Sequence, residues 1–185
     1  MATTLTSIED YFLELAHSDV KLEYFNGEVV AMAGAQPAHN IAVTNLIIAF
    51  GECIKKHGCL IMNSDQLVTI EAVETFTFPD IVIVCDKPLY KKSSNGLDAL
   101  LNPTIIIEVL SDSTELYDRT EKMEAYQKIE SLNEYVLVSS KKKKIEIFRR
   151  NSPETWLQQI VKEGKISIGE CEIDLDAVYD RVEFV

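Results

Sequence analysis

Residues 104–110 read Thr-Ile-Ile-Ile-Glu-Val-Leu, a run so apolar and β-branched that a strand in the core of a sheet is its natural state. Glu108 interrupts it. A carboxylate drawn out of water into such surroundings is costly unless it is paired or coordinates something, so this residue is the strongest pointer to function in the chain. Upstream, Phe78-Pro79-Asp80-Ile81-Val82-Ile83-Val84-Cys85 repeats the arrangement, with an acid at the mouth of an apolar strand. Two strands that each deliver one carboxylate to one place suggest a metal site.

Composition bounds what surrounds that pair. A chain of 185 residues with 46% hydrophobic residues fits one folded domain, expected to span 1–185. No segment approaches the roughly 18 consecutive apolar residues of a membrane span, so no membrane partner is expected. The start, Met1-Ala2-Thr3-Thr4-Leu5-Thr6, lacks a basic region followed by an apolar stretch, so no secretory signal is read and a cytoplasmic location is the default. Cys53, Cys59, Cys85 and Cys171 form no Cys-x-x-Cys pair; buried free thiols are expected rather than disulfides or a zinc site. The net charge of -12 argues against a general nucleic-acid binder, so any such role needs a local basic surface. Lys141 to Lys144 with Arg149 and Arg150, and Lys87 with Lys91 and Lys92, are the candidates, although a charge run is most simply a solvated turn.

The order of elements comes from periodicity and punctuation. Thr6 and Glu9 have capping-box spacing before Ile8, Phe12 and Leu15, which predicts a first helix over 6–16. Asn26-Gly27 between two apolar stretches predicts a hairpin over 21–32. A long helix is expected from Pro37 to about His57, closed by Gly58 and lying across the sheet. Strands are expected near 59–70 and 76–85, with Glu71 to Glu74 as their turn, then a long connection whose Ser93-Ser94-Asn95-Gly96 segment reads as a flexible loop. After the Glu108 strand, Ser113 or Thr114 is expected to cap a helix running to about Ile129. Glu134 to Ser139 and Lys144 to Arg149 form a hairpin about the lysine turn, and Trp156 to Val161 and Ile166 to Ile168 a further strand pair. The fold class is therefore α/β or α+β, a central mixed β-sheet flanked by helices.

The chemistry centres on the two acids and the helix beyond the second of them. Hard divalent cations such as Mg²⁺ take one or two carboxylates together with water and a substrate phosphate. Lys122 falls on the helix after the Glu108 strand, and Arg119 and Tyr126, at i-3 and i+4, share its expected face. An ammonium there could orient a water nucleophile or stabilise charge developing on a phosphate.

The series Leu22-Glu23-Tyr24-Phe25-Asn26-Gly27-Glu28, Pro79-Asp80, Ile107-Glu108-Val109-Leu110-Ser111, Asp118-Arg119-Thr120-Glu121-Lys122 and Tyr135-Val136-Leu137-Val138 resembles the Uma2-type endonucleases, a branch of the PD-(D/E)XK nuclease superfamily, over about residues 7–150. The resemblance implies a restriction-endonuclease-like core and Mg²⁺- or Mn²⁺-dependent cleavage of phosphodiester bonds in DNA. Asp80 matches the superfamily's Pro-Asp element and Glu108 its second acid, which makes both expected metal ligands. The superfamily pattern places a lysine two residues after the second acid. Here that position is Leu110, and the resemblance implies that Lys122 on the next helix takes its place. Glu23 matches an acid of a Glu-x-x-x-Gly-Glu element and is expected as a third carboxylate, with His39 a weaker candidate. Cleavage of both strands of a duplex would suit a two-fold homodimer.

The residues alone leave other functions open. A nuclease-like fold without catalysis, serving binding or assembly, accommodates both the acidic surface and Leu110. A phosphohydrolase of small nucleotides suits an acidic chain better than long duplex DNA does. For Glu108 itself, the bland alternative is a buried ion pair with Arg119 or Lys122.

Overall fold

A computed structural model describes residues 5–93, 96–112 and 114–184. In chain order the elements are α1 (Ile8–His17), β1 (Leu22–Phe25), β2 (Glu28–Ala31), α2 (Pro37–Lys56), β3 (Leu60–Asn63), β4 (Val68–Ile70), β5 (Thr75–Thr77), β6 (Ile81–Val84), β7 (Tyr90–Lys92) and β8 (Asp98–Leu100). The chain continues with β9 (Ile105–Leu110), α3 (Glu115–Arg119), α4 (Glu121–Tyr126), β10 (Glu134–Ser139), β11 (Ile145–Ser152), β12 (Thr155–Val161), β13 (Lys165–Ile168), β14 (Cys171–Asp174) and α5 (Leu175–Val178). The strands form two mixed sheets, ordered β2-β1-β5-β4-β8-β7 and β12-β11-β10-β9-β6-β3, and a separate β13-β14 hairpin.

The continuous apolarity of β9 has a direct cause. It is an interior strand, parallel to β10 on one side and antiparallel to β6 on the other, with both faces covered. Ile105, Ile107 and Val109 pack under α2 with Leu46, Phe50 and Ile54, while Ile106 and Leu110 face α4, Val68 and Tyr135. The long helix thus lies across the sheet as its apolar spacing predicts, and Gly58, at a positive φ of 74°, ends it. A third cluster joins Tyr11 and Phe12 of α1 to Tyr24, Phe76 and Phe78.

Several expectations change. Ser7, not Thr6, caps α1: its Oγ accepts from the Asp10 amide at 3.1 Å. The strands expected over 59–70 and 76–85 are each two strands. Their outer halves, β3 and β6, pair in one sheet and their inner halves, β4 and β5, in the other. One long hairpin therefore steps across both sheets, and residues 78–80 form the step on its return arm. The connection after β6 is largely ordered as the β7-β8 hairpin; Ser94 and Asn95 lie outside the described residues. The helix expected to run to Ile129 breaks at Thr120, whose φ and ψ of -119° and -90° are not helical. Thr114 makes no side-chain cap bond there, and Ser113 lies outside the described residues. Trp156 to Val161 pairs with β11 rather than with Ile166 to Ile168, which pairs with β14. The cysteines are not free thiols: Cys53–Cys171 and Cys59–Cys85 are disulfides. The Leu60–Val84 register sets Cys59 opposite Cys85, a proximity that spacing in sequence does not reveal. No described helix is long and apolar enough to cross a membrane.

Candidate functional site

Strand pleating sends Glu108 to the same side as Ile106 and Leu110, toward α4. There it is 4% exposed. Its Oε1 accepts from Tyr126 Oη at 2.9 Å and from Lys122 Nζ at 3.2 Å. Lys122 and Tyr126 stand at i and i+4 on α4, which places both on one helix face over the strand. Lys122, only 3% exposed, distributes its ammonium among three acids: Glu108, Glu23 Oε1 at 3.1 Å and Asp118 Oδ1 at 3.5 Å. Glu23 comes from the interior strand β1 of the other sheet, and its Oε1 also accepts from the Phe78 amide at 2.9 Å.

Asp80 enters from the step between the sheets. The ladder between β6 and β9 ends at Ile81–Ile107, and Asp80 Oδ2 takes the next strand donor, the Val109 amide, at 2.8 Å. In return the Asp80 amide donates to Glu108 Oε2 at 3.2 Å. The two acids are thus braced against each other through backbone. His39, in the first turn of α2, reaches the same Asp80 Oδ2 with Nε2 at 3.1 Å. Five segments distant in sequence converge here.

Three carboxylates, Glu23, Glu108 and Asp118, share the Lys122 ammonium, and Asp80 adds a fourth beside Glu108. Burial pushes the Glu108 carboxyl well above the usual range, and the neighbouring acids push the same way against the pull of Lys122. Burial likewise raises Asp118. For Lys122, burial favours the neutral amine, but Glu108, Glu23 and Asp118 outweigh it and hold the proton on. Burial opposes a charge on His39 too, yet the bond to Asp80 and its charge raise His39 overall. Tyr126 and Tyr135 are pushed up by burial and stay neutral donors; Tyr135 Oη donates to the Asp118 carbonyl at 2.9 Å. Among the described residues, His39 Nδ1 is buried without a hydrogen-bond partner, and Asp118 Oδ1 has only its 3.5 Å ion pair with Lys122 Nζ. An all-oxygen set of this kind, with surplus buried negative charge, fits a hard divalent cation.

Of the residues expected from sequence, Asp80, Glu108, Lys122, Glu23, Tyr126 and His39 meet. Arg119 does not. It pairs with Glu115 at 3.0 Å and Glu146 at 2.6 Å, because the break at Thr120 rotates α3 relative to α4 and voids the i-3 relation to Lys122. Asp118, Tyr135 and Thr77, whose Oγ1 lies 3.1 Å from Tyr126 Oη, are additions to the set. Asp118 had a signal in its i-4 spacing from Lys122; Thr77 and Tyr135 had none outside the fold. The lysine turn is occupied: Lys141 pairs with Asp112, Lys143 with Asp176 at 2.6 Å and Lys144 with Glu146 at 2.7 Å.

The model of the Uma2 family, described as "Putative restriction endonuclease", matches residues 8–175. An uncharacterized protein of Synechocystis sp. is 34% identical over 151 residues, which are 82% of this chain and 77% of that protein. A second from the same organism is 28% identical over 155 residues, 84% and 86% of the two chains. The crystal structure of "a putative nuclease belonging to DUF820" from Anabaena variabilis has the same fold, with a TM-score of 0.74 over 94% of this chain and 97% of that one at 15% identity.

Proposed function

The chain belongs to the Uma2 family, and from that premise we propose that it is a Mg²⁺- or Mn²⁺-dependent endonuclease that hydrolyses phosphodiester bonds of DNA. The observation that carries the reading is the contact of Lys122 Nζ with Glu108 Oε1 at 3.2 Å, with Asp80 braced against the same carboxylate. Asp80 and Glu108 would hold the cation, which when bound acidifies a water and polarises a phosphoryl oxygen. Lys122, held charged by its three acids, stabilises negative charge developing beside Glu108. Glu23 positions Lys122 and anchors the Phe78 amide at the start of the step that carries Asp80. Tyr126 fixes the rotamer of Glu108, and His39 fixes Asp80. We further propose one domain, a cytoplasmic location and a homodimer whose two sites address the two strands of a duplex.

Calorimetry with Mg²⁺ and Mn²⁺ on the wild type and on Asp80→Ala and Glu108→Ala, paired with cleavage of duplex and single-stranded DNA, tests the proposal. Binding and cleavage lost together in both variants are the expected result. Metal binding without cleavage of any nucleic acid, or cleavage that survives Glu108→Ala, rejects it in favour of a non-catalytic binding role or of another site. A second reading, hydrolysis of small nucleotides, draws on the pairing of Lys141, Lys143 and Lys144 with acids, which reduces the positive field available to a long duplex. A steep loss of cleavage with salt supports the duplex; a flat dependence supports the small substrate.

A further inference from the structure

The far end of α2 carries a second cluster, independent of the carboxylates. His39 and His57 are separated by 18 residues of helix, roughly 27 Å at the α-helical rise. Cys53 and His57 stand at i and i+4 at the end of α2, and Cys171 approaches them from the first position of β14. His57 Nδ1 lies 3.6 Å from Cys53 Sγ and 4.0 Å from Cys171 Sγ. On its other side, His57 Nε2 meets Glu170 Oε2 at 3.2 Å. The ligand atoms of the three residues all lie within 4.8 Å of one another.

We propose that, once the Cys53–Cys171 disulfide is reduced, Cys53, Cys171 and His57 form a binding site for a thiophilic divalent cation such as Zn²⁺, with Glu170 orienting the imidazole. Zinc bonds of about 2.3 Å to sulfur and about 2.05 Å to nitrogen in a tetrahedron place sulfur about 3.6 Å from nitrogen and the two sulfurs about 3.8 Å apart. The sulfur–nitrogen distances here are already close to that, so only the sulfurs must separate. The imidazole has the hydrogen-bonding of a zinc ligand, with one nitrogen facing the sulfurs and the other donating to a carboxylate. On binding, Nδ1 gives up its 2.9 Å bond to the Cys53 carbonyl. Half-buried Cys53 and exposed His57 and Glu170 give the ion a route in, while Cys171 is 1% exposed.

The chemistry balances. A dithiol reductant supplies two electrons and two protons, the Sγ–Sγ bond breaks to two thiols, and the dithiol becomes its own disulfide. The cation then binds the two thiolates and the Nδ1 lone pair; the two thiol protons and the Nδ1 proton donated to the Cys53 carbonyl leave to solvent, while Nε2 keeps the proton it donates to Glu170. Disulfide and metal exclude each other, so α2 is tied to the β13-β14 hairpin by sulfur in an oxidising setting and by the ion in a reducing one.

Co²⁺ titration of the full chain before and after reduction with a phosphine, which leaves no competing thiol, tests this. The expected result is thiolate-to-cobalt charge-transfer absorption, saturating at about one ion per chain with an open fourth position, in the reduced protein only. It should be lost in Cys53→Ser and in His57→Ala, weakened about 10- to 100-fold in Glu170→Gln, and kept in Cys59→Ser. Binding at the carboxylates gives no such band and therefore cannot imitate it. His57→Ala and Glu170→Gln alter exposed side chains, so their result stands even if the Cys53 variant folds poorly. No band in the reduced wild type, or a band that survives His57→Ala or requires Cys59, overturns the proposal.

Discussion

Glu108 lies in a balance that can be read through pH. Its carboxyl is raised well above 4.5 by burial and by its acidic neighbours, so between the unfolded and folded values the folded chain holds more protons than the unfolded one. Stability contributed at low pH is therefore lost as pH rises through that window. Glu108→Gln removes the ionisation. In metal-free buffer the variant should gain on the wild type by on the order of 1–3 kcal/mol as pH rises from about 4.5 to neutrality, read from urea unfolding at both ends; an unchanged difference would mean that Glu108 is not a costly buried charge. Lys122→Met should do the reverse. With Glu23, Glu108 and Asp118 left facing each other, it should cost about 3–5 kcal/mol at neutral pH. A gain in stability for Glu108→Gln is what the proposed metal-ligand role implies and a packing role does not.

At the scale of elements, the site depends on segments whose local signals are strong and on joints whose signals are weak. The β1-β2 hairpin that carries Glu23 turns on Asn26 and Gly27, both at positive φ, and that dipeptide is readable in any chain. Gly27 has a second constraint: a Cβ there would meet the Leu5 side chain at 2.8 Å, at a φ of 101°. Gly27→Ala should therefore destabilise by more than about 1 kcal/mol, measured by thermal unfolding, and a neutral result would show that the Leu5 contact is soft. The apolar run of β9 and the helix period of α2 were equally legible, and with them Glu108 and the general architecture. The step of the long hairpin from one sheet to the other was not. Gln66 and Leu67, opposite Phe78 to Asp80, look like ordinary strand residues, and only pairing with β8 and β9 decides where each sheet begins. Arg119 was misplaced for a related reason, since the break at Thr120 comes from tertiary contacts of α4 and not from a Gly or Pro. Asp118 carried only its i-4 spacing from Lys122, because its burial is decided by the fold around Tyr135, whose Oη donates to the Asp118 carbonyl.

Across the whole molecule, two disulfides fasten the face opposite the acidic cluster. The Cys53–Cys171 bridge closes a loop of 118 residues, and on chain-entropy grounds such a bridge contributes about 4–5 kcal/mol. Reduction without added metal should lower the urea midpoint accordingly, and a midpoint indifferent to reduction would mean that residual structure in the unfolded chain cancels the entropic gain. The opposite face has no covalent tie. Lys122 is delivered by α4, a six-residue helix entered through the irregular Thr120, whereas Glu108 sits on an interior strand bonded on both sides. Amide hydrogen exchange should find the α4 amides opening at lower free energy than those of β9. Since position 110 is filled by a packed leucine, the positive charge is not part of the sheet at all. If α4 opens first, the proposed centre loses its ammonium while every strand stays paired, and closing the helix restores it without the protein refolding.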